Sequence, residues 1–197
     1  AEDAGSASVA VSIDNPSSVD TVVSITTTDN SATNPDDYTT TTVTATIPAG
    51  QTTVDVTIPI TDDAIGEDTE DFSVNGTVTS GNTSNTDPSG TVTITDNDTP
   101  SITIGDVTVD EGVGNAVVPV TISNPSDEDT VVSITTTTGT AGTDDYTETT
   151  VTATIPAGQT TVDVSIPITD DGIDEPAEDF TVNGTVTSGN TDNDTTQ

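Results

Sequence analysis

Lysine, arginine and histidine are absent from this 197-residue chain, as are cysteine, methionine and tryptophan, against 35 aspartates and glutamates and a formal charge of -35. Each absence removes a class of chemistry. Phosphate recognition depends on Lys and Arg, so nucleic acid is excluded as a partner, and an anionic membrane surface is repelled for the same reason. Without Cys there are no disulfides, thiolate nucleophiles or Cys metal sites, and no redox compartment is indicated. The usual nucleophile–base pairs of covalent catalysis need His, Cys or Lys. What remains is carboxylate-pair chemistry such as glycoside hydrolysis, and two Tyr and two Phe in the whole chain make no aromatic platform for a sugar. The chain is therefore not expected to be an enzyme. No run approaches the roughly 18 consecutive apolar residues of a membrane span, and no stretch reads as a signal peptide.

Hydrophobic residues make up only 28% of the chain, and low hydrophobicity with high net charge ordinarily leaves too little apolar area to offset the entropy of ordering. The apolar residues present are nearly all Val and Ile, Leu is missing, and Thr is the commonest residue. That is a strand vocabulary. The chain is also a tandem repeat: Tyr38, Gly50 and Phe72 recur 108 positions later as Tyr146, Gly158 and Phe180, while Asn15-Pro16 recurs 109 later as Asn124-Pro125, a one-residue deletion.

Within each repeat apolar and polar residues alternate with period two, as in Val54, Val56, Ile58 and Ile60 against Thr53, Asp55, Thr57 and Pro59. In the second repeat this pattern predicts strands near 101–110 (A), 115–123 (B), 130–138 (C), 148–155 (D), 161–169 (E) and 178–187 (F). A seventh, G, is found only in the first repeat, at 90–96. Pro-Ala-Gly-Gln at 48–51 and 156–159 and Asn-Pro-Ser at 15–17 and 124–126 punctuate them as turns. Short strands at regular spacing predict an all-β chain of two tandem antiparallel β-sandwiches, residues 1–99 and 100–197. Glu2 aligns with Glu111, so the first repeat lacks most of strand A, and the second lacks strand G. Either the chain is an excerpt of a longer array, or neighbouring subunits complete each other's sheets by strand addition.

Successive strands run up and down, so alternate loops share an end. Glu2 in A–B, Asp36 and Asp37 in C–D, Asp62, Asp63, Glu67 and Glu70 in E–F, and Asp96 and Asp98 after G all fall at one end. Crowded carboxylates repel and raise one another's pKa, and this chain has no cation of its own to place among them. An acidic loop alone is more simply a solvated surface. The same-end clustering and its repetition favour a bound metal. Calcium takes about 6 to 8 oxygen ligands in flexible geometry, magnesium demands a tight octahedron, and zinc prefers His or Cys. The EF-hand spacing is absent, so the expected site is a calcium cage at a sandwich apex.

Asp-Tyr before strand D, Ile-Pro-Ala-Gly-Gln-Thr, then Ile-Pro-Ile-Thr-Asp-Asp-x-Ile-x-Glu-x-x-Glu-Asp-Phe, and a closing Ile-Thr-Asp-Asn-Asp together resemble the Calx-β domain, in both repeats. The resemblance implies seven-stranded Ig-like sandwiches with calcium at the distal loops. By position it implies as ligands Glu2, Asp37, Asp62, Asp63, Glu67, Asp96 and Asp98 in the first repeat, and Glu111, Asp145, Asp170, Asp171 and Glu175 in the second. Glu70 and Glu178 stand outside that set, with loop capping as their role. The second repeat lacks the closing Asp-Asn-Asp. Asp192-Asn193-Asp194 imitates it but aligns with the F–G loop, so the second site is expected to be incomplete within the chain.

Only Thr99-Pro100 separates Asp98 from the next strand A, so the repeats are expected to stack head to tail, with Asp127-Glu128-Asp129 near the first apex and calcium stiffening the junction. The leading functional expectation is a calcium-stiffened segment of an extracellular filament or large surface adhesin, partnered by copies of itself in a fibre or tandem array. The alternative is a calcium-responsive regulatory module of a larger protein. Sequons at Asn75, Asn82, Asn97, Asn183 and Asn193 permit N-glycosylation, although a Thr- and Asn-rich chain produces such matches by chance.

Overall fold

The computed structural model describes residues 1–191. By contact it divides into two compact units, one of residues 1–63 and 68–97, the other of residues 64–67 and 98–197. The last six residues, including the Asp192-Asn193-Asp194 imitation, lie outside the described residues.

The first unit holds β1 (Ser6–Ser12), β2 (Thr21–Asp29), β3 (Thr42–Ile47), β4 (Thr53–Pro59), β5 (Glu70–Ser80) and β6 (Ser89–Ile94). They form a four-stranded sheet in the order β3-β2-β5-β6 and a two-stranded sheet β1-β4, all neighbours antiparallel. The second unit holds β7 (Ile102–Ile104), β8 (Asn115–Ile122), β9 (Thr130–Thr138), β10 (Thr150–Ile155), β11 (Thr161–Pro167) and β12 (Phe180–Ser188). Here the sheets are β10-β9-β12 and β11-β8-β7. Among the described residues the first unit thus has no strand in the place of β7, and the second has none in the place of β6.

The period-two pattern explains which faces meet. Val23, Ile25, Phe72 and Val74 of one sheet and Val56 and Ile58 of the other point inward and are buried, while the intervening Thr, Ser and Asp residues face out. The second unit buries Val132, Ile134, Val164 and Ile166 in the same places. All four aromatic residues are spent as one stacked pair in each core, Tyr38 on Phe72 and Tyr146 on Phe180.

An inward glycine of β5 and its copy in β12 show how each unit adapts to its own strand set. A Cβ at Gly76 would lie 2.8 Å from Pro88 Cγ, and one at Gly184 would lie 2.7 Å from Ile104 Cδ1. The same hollow is filled by the β5–β6 connection in the first unit and by β7 in the second.

The predicted strand over 101–110 is corrected to three residues. Ile104 pairs with Val120, and the Gly105 N–H still donates to the Pro119 carbonyl at 2.9 Å. Pro119 has no N–H to return, so the ladder stops there. Residues 106–110 make no ladder with β8, and Val107 and Val109 are each 40% exposed.

Candidate metal centre

In the first unit the site begins at Glu2. This residue opens a single 3-10 turn, Glu2–Ala4, closed by Gly5 in the left-handed region at φ 67°. The Glu2 N–H donates to the Thr95 carbonyl at 3.1 Å and the Asp3 N–H to Asn97 Oδ1 at 3.1 Å, which ties the turn to the chain just after β6. The turn is thereby held with its side chain inward: Glu2 is 2% exposed.

The C–D loop supplies Asp37, also buried. Its carboxylate folds back to accept the Thr33 N–H, and its carbonyl accepts the Thr61 N–H at 2.9 Å, just ahead of Asp62 and Asp63. Tyr38, the next residue, bridges to Ile60 and stacks on Phe72, so the C–D loop is anchored on one side by strand pairing and on the other by an aromatic pair. The cis peptide Asn34-Pro35 lies in this loop. Asp62 and Asp63 are exposed, Asp96 is half-buried, and Asp36 faces solvent.

Glu2 offers a carboxylate oxygen within 4.8 Å of one on Asp37, and likewise within 4.8 Å of one on Asp96. Burial, followed by the charges of Asp63, Asp96, Asp62 and Asp37, pushes the Glu2 carboxyl from 4.5 up to about 7. Its Oε2 is buried and accepts no hydrogen bond. Leaving a buried carboxylate oxygen unsatisfied is costly, and here four acids surround it in a chain without a single basic side chain.

That orphaned oxygen is the observation against which a metal is tested. The donor set is all carboxylate and carbonyl oxygen, held on loops that can adjust, which suits calcium and does not suit zinc. Glu2, Asp37, Asp62, Asp63 and Asp96 would hold the ion, which would supply the missing positive charge. Glu67 and Asp98, both half-buried, belong by contact to the second unit.

The second unit builds its site in the same way up to a point. Glu111 sits on the 3-10 turn Glu111–Val113, closed by Gly114 at φ 76°. The Gly114 carbonyl accepts the Ile168 N–H at 3.1 Å, as the Gly5 carbonyl accepts the Ile60 N–H at 3.2 Å. Asp145 accepts the Gly142 N–H at 2.6 Å, and its carbonyl takes the Thr169 N–H at 2.8 Å, ahead of Asp170 and Asp171.

Glu111, Asp171 and Glu175 bring carboxylate oxygens within 4.8 Å of one another. Asp170 and Asp171 also accept local N–H bonds from Gly172 and Ile173, and the side chains of this loop are open to solvent. Desolvation raises the Glu175 carboxyl, and Asp171, Asp145, Glu178 and Glu111 raise it further.

Glu178, expected as a loop cap, also feels the charge of this cluster. Its carboxyl is raised by desolvation, then by the charge of Asp145 and a side-chain hydrogen bond with it, and by Glu111 and Asp179. The sequence signal was present in the second Glu of Glu-x-x-Glu. What decided its role is that it lies ahead of β12, which begins at Phe180, so that Glu178 is still in the loop. Its counterpart Glu70 is already in β5, opposite Ile94.

The chain matches the Calx-beta domain twice, over residues 1–98 and 93–196. Similar solved structures include the crystal structure of CBD12 from CALX1.2, 20% identical with a TM-score of 0.43, and that of calcium binding domain CBD12 of CALX1.1, 19% identical with a TM-score of 0.44. Each alignment covers 93% of this chain and 74% of the other. The apo form of the Calx CBD1 domain aligns at 22% identity and a TM-score of 0.42, covering 49% of this chain and 87% of that one. No curated protein matches the chain. The two family matches in tandem span the two sandwiches, and the chain belongs to the Calx-beta domain family.

Proposed function

We propose that the chain is a calcium-binding structural module of an extracellular filament or large surface adhesin, in which calcium neutralises and stiffens the acidic loop ends of the sandwiches. The observation that carries the reading is the Glu2 carboxylate, 2% exposed, with one oxygen lacking any hydrogen bond. Burying such a group among Asp37, Asp62, Asp63 and Asp96 is unfavourable in the metal-free state and favourable around a divalent cation. In this reading the ligands are Glu2, Asp37, Asp62, Asp63, Glu67, Asp96 and Asp98 in the first domain and Glu111, Asp145, Asp170, Asp171 and Glu175 in the second.

Two features support the setting. A formal charge of -35 keeps the protein soluble and self-repelling, so that divalent cations act on it strongly. Extracellular modules work at calcium dissociation constants of about 10⁻⁴ to 10⁻³ M, a range suited to exposed ligands such as Asp171 and Glu175. No helix among the described residues is long and apolar enough to cross a membrane.

Calorimetric titration of the chelated protein tests the reading, with terbium luminescence sensitised by Tyr38 and Tyr146 as a second readout. Calcium is expected to bind in the first domain more tightly than in the second, and magnesium more weakly than calcium in both. A protein that takes up no calcium at millimolar concentration would sink the proposal. Small-angle scattering of the calcium-loaded and chelated chain then tests stiffening, which requires the loaded form to be the more extended.

A further inference from the structure

We propose that Asp171-Gly172, in the acidic loop of the second unit, is a site of spontaneous covalent modification at which aspartate isomerises to isoaspartate. The reaction is intramolecular. The Gly172 backbone nitrogen attacks Cγ of Asp171, an N–Cγ bond forms, and one carboxyl oxygen leaves as water with the amide proton and a proton from solvent. Water then opens the succinimide. Addition at the former side-chain carbonyl returns aspartate, whereas addition at the main-chain carbonyl breaks the original peptide C–N bond and leaves the chain running through Cγ. The composition of the protein is unchanged and no other reactant is consumed.

Glycine is the following residue that hinders ring closure least, because it lacks a Cβ and adopts backbone conformations closed to other residues. The chain holds three Asp-Gly or Asn-Gly pairs: Asn75-Gly76, Asp171-Gly172 and Asn183-Gly184. By chemistry alone the two asparagines are the more reactive, since ammonia leaves a carboxamide more readily than water leaves a carboxylate. The structure reverses that order. Asn75 and Gly76 lie inside β5, where Asn75 pairs with Thr26 on one side and Ser89 on the other, and the Gly76 N–H donates to the Pro88 carbonyl at 2.7 Å. Asn183 and Gly184 lie inside β12 opposite Thr135 and Ile134, and the Asn183 side-chain amide donates to Thr137 Oγ1 at 3.1 Å. Closing a succinimide at either pair requires the strand to leave its ladder, so both react only through local unfolding.

Asp171-Gly172 has no ladder to leave. Residues 169–179 form neither strand nor helix, and residues 171–179 are all exposed. Gly172 sits at φ 77°, and a Cβ placed there would meet nothing within 4 Å, so no neighbouring group obstructs the ring. The Asp171 carboxylate is already folded forward past Gly172 to accept the Ile173 N–H at 2.8 Å, while the Gly172 N–H donates to the exposed Asp170 side chain over 3.3 Å. In the first unit Asp63 is followed by Ala64, whose methyl group crowds the attacking nitrogen.

Loss of a metal ligand follows on the proposed calcium reading, on which the isomerisation itself does not depend. Asp171 brings a carboxylate oxygen within 4.8 Å of ones on Glu111 and Glu175. In isoaspartate the carboxylate is attached directly to Cα and the backbone is longer by a methylene, which withdraws that oxygen from the cluster. A cation bound to the Asp171 carboxylate in turn holds it away from ring closure. Calcium thus protects the loop that binds it, and a chain left without calcium loses its second site while keeping its first.

The test warms the full chain at neutral pH in chelator, in calcium and in urea, cleaves it after glutamate and locates isoaspartate by electron-transfer fragmentation. Cleavage after Glu70, Glu111, Glu148 and Glu178 puts the three pairs on separate peptides. In chelator, isoaspartate is expected to accumulate at Asp171 several-fold faster than at Asn75 or Asn183, and in urea that order is expected to invert. Asp171→Glu, which keeps a carboxylate but cannot close the same ring, is expected to abolish the signal at this position. Calcium is expected to slow the reaction at Asp171 several-fold, and aged protein to lose second-domain calcium binding in proportion to its isoaspartate content. Isoaspartate that appears first at Asn75 or Asn183 in the folded chain overturns the proposal, as does a folded chain that stays unmodified while the urea sample converts at Asp171. Calcium that binds in the second domain without slowing the reaction removes Asp171 from the ligand set, and calcium that does not bind there defeats the metal reading, with the isomerisation site standing in both cases.

Discussion

Tyr38 and Phe72 stack with ring centroids 4.0 Å apart and planes 6° from parallel, and Tyr146 and Phe180 repeat the arrangement at 4.1 Å and 11°. Each pair joins the C–D loop, which carries Asp37 or Asp145, to the start of the strand that follows the acidic E–F loop. The pairs differ in cover, since Phe72 is fully buried and Phe180 is not. Phe72→Ala should therefore destabilise the first domain by about 3–5 kcal/mol, and Phe180→Ala the second by roughly half as much, because less area leaves water. Urea unfolding of the two variants in chelator checks this. Equal losses would mean that the difference in cover between Phe72 and Phe180 has no energetic consequence.

Glu2 gives the metal-free protein an inverted carboxylate pH dependence. Its folded pKa, raised to about 7 from 4.5, means that between these values the folded state holds a proton the unfolded state has lost. Its stabilisation is full below about 4.5 and is lost as pH rises through 7, a change of up to about 3 kcal/mol. Metal-free protein should accordingly lose stability on this group's account from pH 4.5 to 7.5, and Glu2→Gln should flatten that slope. The same substitution should weaken calcium binding in the first domain, and calcium affinity of the unmodified protein should fall as pH drops below 7. Thermal melts across the pH range, with and without calcium, separate these effects. A Glu2→Gln variant with an unchanged slope would show that folding does not raise the pKa of this carboxyl.

The period-two alternation carried most of the fold, because with Val and Ile as almost the whole apolar set each inward position was marked. It failed at residues 105–110, where Val107 and Val109 keep the alternation and yet make no ladder. The obstacle lies across the sheet, at Pro119, and a strand's own sequence does not report its partner's missing N–H. For the site, loop parity brought Glu2, Asp37, Asp62, Asp63 and Asp96 to one end, and the structure sets them around one buried carboxyl. What parity could not reach was depth. Asp36 and Asp37 are identical neighbours in sequence, and only the Thr33 and Thr61 hydrogen bonds turn Asp37 inward. Nor could parity tell Glu178 from Glu70, since only the structure shows that β12 begins at Phe180 and β5 already at Glu70.

Gly139 and Gly90 set a test of close approach. A Cβ at Gly139 would lie 2.5 Å from the backbone carbonyl oxygen of Asp179, whereas Gly90, within β6, meets nothing within 4 Å. Overpacking against backbone typically costs about 1–3 kcal/mol, and relieving glycine's entropy in a strand gains roughly 0.5–1 kcal/mol. Gly139→Ala should lower the stability of the second domain, and Gly90→Ala should leave the first unchanged or slightly raised. Gly139→Ala should also disturb the Ala141 N–H bond to the same Asp179 carbonyl, 2.9 Å long, visible as faster exchange of that amide.

The second domain's acids make a sharper case for Glu178 than the resemblance did. Desolvation, then the charge of Asp145 and a side-chain hydrogen bond with it, hold the Glu178 carboxyl above the ordinary glutamate value. A cation bound among these acids favours the charged form of Glu178, so calcium binding in this domain should release protons over the pH range in which that carboxyl titrates. Glu178→Gln removes this titrating group. Calcium titrations in buffers of different ionisation enthalpy should show proton release from the unmodified protein and less from the variant. If Glu178 only caps the loop, proton release will be the same in both, whereas Asp145→Asn, which removes an expected ligand, should weaken calcium binding in either case.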